Sequence, residues 1–316
     1  MGRLSIDAMR GYLGRSIASL NENKLRGLLA EIDFRKRLGE LGFADRVSVG
    51  GWIARRVGAG EFAHQTAAFF PEMLAADIDY AAGRVLPDPP HGLHTICSTF
   101  HQTGISAYFL AGTVAADNDA DALSWHAVQL GLPTEQHYQP FPKCVEGQFA
   151  LRPGRYNFLR HHADTSRIPD TAIPEEFAKE HLRVPFQNYF MSEISDVDGI
   201  FWGEQFTYPL EIKEKTPAPS NKLGPFFGLD VGPFVKLAHY VARRGNLHSL
   251  FVVREIADLE TRDLVNWWFI TFEQLARFAS WFPMAGGTSM GGGRSAVVCI
   301  PKVEFRELNR ANLDAL

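Results

Sequence analysis

Asp196-Val197-Asp198-Gly199-Ile200-Phe201-Trp202-Gly203-Glu204-Gln205-Phe206-Thr207-Tyr208-Pro209-Leu210-Glu211-Ile212-Lys213 reads as two short strands around a turn. In the first half Asp196, Asp198 and Ile200 alternate with Val197, Gly199 and Phe201; in the second, Tyr208, Leu210 and Ile212 alternate with Pro209, Glu211 and Lys213. Gly203-Glu204-Gln205-Phe206 carries the glycine and polar residues of a turn. If Trp202 opposes Thr207 across this loop, Asp198 falls opposite Glu211, and directly opposed Cβ atoms in a sheet sit about 5 Å apart. Lys213 lies on the same face as Glu211, because side chains in a strand repeat with a period of two. Two carboxylates and an ammonium then converge, while Leu210 and Ile212 point the other way into a core.

Close carboxylates raise one another's pKa unless a cation lies between them. A hard divalent ion answers that need, and Mg²⁺ typically takes one or two carboxylates while keeping waters for substrate phosphate. A neighbouring lysine then orients, or helps to deprotonate, the attacking water. Such a set is suited to metal-assisted phosphodiester hydrolysis.

Asp198, followed after a hairpin by Glu211-Ile212-Lys213, resembles the PD-(D/E)xK nuclease superfamily, with Val197 standing where the motif's name has proline. The resemblance implies an α/β fold with a restriction-endonuclease-like αβββαβ core, a mixed sheet flanked by helices, and a large insertion. It implies Asp198, Glu211 and the main-chain carbonyl of Ile212 as ligands of Mg²⁺, with Mn²⁺ as a substitute, and Lys213 as the water-positioning lysine. It also implies an acidic residue on the first core helix, which Glu31 matches, and a helix whose Lys236 and Tyr240, one turn apart, face the site as accessory residues. Duplex DNA is the expected partner, and a restriction or defence endonuclease the expected biology. A Glu-x-Lys alone is unspecific, since Glu22-Asn23-Lys24 also fits it. The weight rests on the apolar strand around Glu211 and the Asp-Gly strand before it.

The chain has 316 residues, 46% of them hydrophobic and 22% charged, enough for a sizeable core. We read it as a single domain over 1–316, with its core in 24–56 and 184–300 and an insertion or subdomain over 57–183. A net charge of −4 excludes a protein held on nucleic acid by bulk charge, so basic groups have to be gathered in a cleft. Cys97, Cys144 and Cys299 form no CxxC pair, which suits a reducing compartment. No secretory leader opens the chain, Ile6 stands where a myristoylation signal has Ser or Thr, and the apolar-leaning run 102–116 is too short to span a bilayer. A soluble, cytoplasmic protein without a membrane partner is expected. No heptad seam requires a homodimer, although restriction enzymes are often dimers.

Helices are expected over 4–20 and 24–41, the second closed at Gly42, with a strand over 45–57. The middle reads as helices at 62–76 (kinked at Pro71) and 121–130 and strands at 93–109. A helix at 175–182 and a strand at 184–191 lead into the hairpin. After it come a loop over 215–229 whose Lys215 and Lys222 are placed for phosphate, a helix from Gly232-Pro233 to Gly245-Asn246 with Arg243 and Arg244 at its end, and strands at 248–256 and 264–270. Thr271-Phe272-Glu273-Gln274 is a capping box opening a helix to Trp281. Gly286 to Ser295, with Arg294, reads as a flexible linker, since it lacks the Gly-Lys-Ser/Thr ending of a phosphate loop.

Two other functions compete with the nuclease. A nuclease fold kept only to bind nucleic acid would not need Asp198, Glu211 and Lys213 together. A zinc enzyme centred on His91, His94 and Cys97, with His101 nearby, has the right ligand types, but their spacing matches no recurrent zinc pair. His161-His162 reads as a polar turn.

Overall fold

The structure, a computed structural model, describes residues 3–16, 22–56, 65–73, 88–89, 91–102, 104–131, 137–154, 164–222, 224–242, 246–290 and 293–316. In chain order the elements are α1 (Ile6–Ser16), α2 (Glu22–Glu40), β1 (Val47–Arg56), β2 (Gln65–Glu72), α3 (His91–Gln102), β3 (Ser106–Val114), β4 (Leu123–Leu130), β5 (Gln139–Pro140), α4 (Ile173–Tyr189), β6 (Ser192–Trp202) and β7 (Thr207–Lys215). There follow β8 (Phe226–Asp230), α5 (Val231–Ala242), β9 (Leu250–Ile256), β10 (Leu264–Thr271), α6 (Phe272–Phe278), β11 (Met284–Met290), β12 (Gly293–Pro301), β13 (Arg306–Glu307) and α7 (Arg310–Asp314). The chain is therefore α/β, with a large mixed sheet flanked by helices. It divides into two compact units, one of Met1–Arg26 with Val49–Val197, the other of Gly27–Ser48 with Asp198–Leu316. Among the described residues no helix is long and apolar enough to cross a membrane.

In the first unit β1 to β5 pair in sequence order. The β2–β3 pair is parallel, with Phe69 beside Tyr108, and the others are antiparallel. Trp52, Phe69 and Phe186 form its aromatic centre, with Trp52 4.3 Å from Phe69 and 4.9 Å from Phe186 between ring centroids. Tyr12 of α1 packs edge-on against Phe177 of α4 at 5.2 Å.

The second unit carries a five-stranded mixed sheet in the order β13-β10-β9-β7-β6, with β7 and β9 parallel, and a separate antiparallel sheet β11-β12-β8. The period of two sorts the main sheet's side chains between two cores. Leu210, Ile212, Leu250 and Val252 pack with Ala30, Phe34 and Leu38 of α2. Phe251 and Val253 pack on the other face with Leu237 of α5, Leu275 of α6, and Phe227 and Ile300 of the smaller sheet. After α2, Gly42 takes φ +88° while the Phe43 N–H reaches the Leu38 carbonyl at 2.9 Å, the left-handed stop that the glycine there predicts.

Several expected elements are different. Residues 91–102 form a helix, because Leu93, Ile96, Cys97 and Phe100 recur at helical spacing and all four are buried. Residues 65–72 form a strand; Ala67, Ala68, Phe69 and Phe70 are buried on both faces, so alternation is absent. Residues 123–130 also form a strand, with Leu123, Trp125 and Ala127 inward and Ser124 outward. α4 runs through Pro185 to Tyr189 instead of yielding to a strand, since Phe186 falls one turn after Leu182 on the buried side. The glycine-rich segment near 290 pairs as the β11–β12 hairpin, with Ser289 opposite Arg294. α6 stops at Phe278, although Thr271 caps it by accepting from the Gln274 N–H at 3.5 Å. His161, His162, Arg243 and Arg244 lie outside the described residues.

Candidate active site

The hairpin forms in the expected register. β6 and β7 pair antiparallel with Trp202 opposite Thr207 and Gly199 opposite Leu210, so the next step along the ladder sets Asp198 beside Glu211. The turn closes through the Gly203 N–H on the Phe206 carbonyl at 2.9 Å. Ile212 enters the geometry through its N–H, which donates to Asp198 Oδ2 at 2.8 Å. Its side chain is buried in the core shared with α2.

Lys213 Nζ lies 2.6 Å from Glu211 Oε1 and 3.8 Å from Asp198 Oδ2, so one ammonium serves both carboxylates. Lys236, on α5, forms a close ion pair with the other oxygen of Glu211, Oε2. Glu211 is 2% exposed and Asp198 6%, so the negative charge is held well away from water. Lys213 remains the most accessible of the four, its side chain 35% exposed. Tyr240, one turn beyond Lys236, is buried beneath them.

Burial pushes the Asp198 carboxyl upward, and Glu211 beside it adds to that, against the pull of Lys213 and Lys236. Burial also works against ionised Glu211, but Lys213 and Lys236 outweigh it and hold that carboxyl down at about 2. Burial favours loss of the proton from each lysine, and Glu211 and Asp198 more than restore it, so both ammoniums sit above the usual lysine range. The two carboxyls are thus driven apart, Asp198 upward and Glu211 downward. Lys213, held charged, is suited to orienting a water or a phosphate, not to accepting a proton. Burial raises the Tyr240 phenol.

The other expected residues fall as follows. Glu31 sits on α2, whose Ala30 and Phe34 cover the face of the sheet that Leu210 and Ile212 enter, opposite to Glu211 and Lys213. Among the described residues no three His, Cys, Asp or Glu side chains gather into a metal-holding group, so Glu31 does not complete the carboxylate pair. The described residues likewise bring no such group together for the zinc alternative, with His94 exposed and Cys97 buried on α3, while the side chain of His91 lies outside the described residues. Lys215 continues the face of Glu211 and Lys213, and burial lowers its pKa. Lys222 lies in an exposed turn, its N–H on Ser220 Oγ at 3.2 Å.

A supporting network on the α2 face escaped the sequence reading. Arg254 Nη1 binds Glu214 Oε2 at 2.7 Å, Arg254 Nε binds Asp33 Oδ2 at 2.9 Å, and Arg262 pairs with the other Glu214 oxygen. The charged Glu214, next to Lys213 and so on the reverse face, was the available signal. The site therefore comprises two buried carboxylates on adjacent strands, bridged by a lysine of one strand and locked by a lysine of the following helix. No protein-family model, curated protein or solved structure matches this chain.

Proposed function

We propose that the chain is a Mg²⁺-dependent endonuclease acting on duplex DNA, of restriction or defence type, with Asp198, Glu211 and Lys213 as its catalytic residues. The observation that carries this reading is the Lys213 ammonium lying within reach of both buried carboxylates. A positive charge already rests between two hard oxygen donors, which is the place and the donor chemistry that a divalent ion requires. Asp198 and Glu211 would hold the ion, which supplies Lewis acidity toward the phosphodiester and a more acidic water. The helix, three strands, helix and strand of α2, β1, β6, β7, α5 and β9 follow one another in the order the resemblance implies, interrupted after β1 and by β8.

The protein's own groups have separable tasks. The Ile212 N–H fixes the Asp198 carboxylate, so one ligand is set by backbone and not by a free rotamer. Lys213, charged and partly exposed, positions the attacking water and the phosphate.

Cleavage of supercoiled plasmid, linear duplex, single-stranded DNA and RNA, with Mg²⁺, Mn²⁺ or EDTA, tests the reading. Metal-dependent cutting should fall by about 10²-fold or more in Lys213→Ala and in Asp198→Ala. Discrete bands would establish sequence recognition. Variants that cut as fast as wild type would remove the assignment, and equal duplex binding without cutting would make the chain a nuclease-fold binding module.

A further inference from the structure

Between α6 and β11 the chain turns through Trp281-Phe282-Pro283, a short tip that carries the two most exposed aromatic side chains among the described residues. Trp281 is 90% exposed and Phe282 84%. The tip is anchored on both sides. Before it, the Ser280 N–H donates to the Cys299 carbonyl at 2.9 Å, and Ser280 Oγ accepts from the Cys299 N–H at 2.9 Å. After it, Met284 pairs with Val297 of β12. Two large rings held in water on a fixed turn mark a contact surface. The tip also belongs to the layer over the candidate centre. Glu211 and Lys213 lie beside Phe251 and Val253 in parallel register, hence on one face of the main sheet. That face packs against Leu275 and Ala279, where α6 runs toward the tip, and against Val298 and Ile300 of β12. Arg277, just before the tip, is exposed and holds its guanidinium 5.3 Å from the Phe278 ring centroid.

Resting on the reading of the chain as a nuclease, we infer that Trp281 and Phe282 form a stacking tip for unpaired nucleobases, so that the substrate is a duplex with a single-stranded segment or end. A second copy of the chain would need about 800 Å² from each partner, far more than a three-residue tip supplies. An anionic lipid surface attracts clustered basic groups, whereas this chain carries a net charge of −4. Nucleobases need exposed π faces and gain from a neighbouring guanidinium, which Arg277 offers. A chain of this charge also gains little from bulk attraction to phosphate, so contacts that do not depend on charge carry more of its hold on a strand. Stacking is indifferent to base identity, because every base has a π face. The tip therefore adds affinity for open strand and no sequence preference.

The test is a binding titration in EDTA, which removes both cleavage and any part played by a cation. A labelled oligothymidylate, alone or paired with oligodeoxyadenylate, is titrated with the full-length protein as wild type, Trp281→Ala, Phe282→Ala and Trp281→Phe. Anisotropy and tryptophan emission are followed. The substitutions fall on exposed rings, so melting temperatures should stay at the wild-type value. Wild type should bind the single strand with quenching of its tryptophan emission. Trp281→Ala and Phe282→Ala should each weaken that binding about tenfold at an unchanged salt slope, and Trp281→Phe should keep most of it. Plasmid cleavage with Mg²⁺ is measured beside it. Weakened single-strand binding in the alanine variants, without cleavage of any substrate by wild type, keeps the stacking tip and removes the nuclease reading. Cleavage by wild type, with both alanine variants holding the single strand as tightly as wild type, overturns the tip and leaves the nuclease centre standing. Neither cleavage nor binding overturns both. The tip is also overturned if single-strand affinity is unchanged while Trp281→Ala abolishes sedimentation with phosphatidylserine vesicles or dissolves a dimer.

Discussion

His181 and Glu180 stand side by side on α4 and respond to acid in separate ranges. Trp125 Nε1 donates to His181 Nδ1 at 3.0 Å, which leaves Nε2 to donate to the Ala120 carbonyl at 2.9 Å and fixes the neutral tautomer. Burial lowers the ring's pKa to about 4, despite the opposing pull of the Ala120 carbonyl and Asp121. Between about 6.5 and 4 the unfolded chain therefore binds more protons, so stability falls as pH drops, with a slope approaching about 1.4 kcal/mol per pH unit. Glu180 is destabilised as an anion by burial, but Lys24 at 3.0 Å and Arg183 at 2.5 Å prevail and hold it at about 2. Its contribution is present above its unfolded value near 4.5 and is lost as pH falls from there toward 2. Urea titrations across pH should show His181→Gln flattening the upper range. Glu180→Gln should flatten the lower range and cost about 3 kcal/mol at neutral pH, through the charges left behind. Unchanged slopes would show that neither group is coupled to folding.

At the scale of elements, the β6–β7 hairpin is held from below. A Cβ at Gly203 would stand 2.6 Å from the Leu316 carbonyl oxygen and 2.8 Å from the Tyr208 ring. Gly203→Ala should lower stability by about 1–3 kcal/mol, seen as a shift in denaturant midpoint at constant slope. Deleting one turn residue should be worse for cleavage than for folding, because a one-residue slip moves Asp198 to the opposite face. This hairpin was legible because alternation, turn chemistry and charge all pointed to one register. Residues 65–72 were not, since a run buried on both faces has no period to read. In 91–102 the histidines drew attention to ligand chemistry, while Leu93, Ile96, Cys97 and Phe100 carried the helical signal. Glu31 shows a different limit. Its helix was foreseen, but which face of the sheet that helix covers depends on packing partners far along the chain.

For the molecule as a whole, a net charge of −4 sets how it would meet a polyanion. If the basic groups that meet the duplex are confined to one cleft, as the nuclease reading requires, affinity should depend on salt with a log–log slope no steeper than about −4, and more strongly on divalent ions. A slope near −8 in fluorescence anisotropy would contradict the confined site. The strand order of the second unit bears on how the chain is made. From β6 through β7, β9 and β10 to β13, spatial order follows synthesis order. Each strand leaving the ribosome can be laid on an open edge, and none has to be threaded between two already paired. The bond from Ile212 to Asp198 spans only fourteen positions and closes with the first hairpin. Leu210→Ala and Ile212→Ala should accordingly slow refolding, with φ of about 0.5 or more, whereas Phe269→Ala should act mainly on unfolding. Nascent chains would then carry a nearly assembled carboxylate pair before their last strands exist.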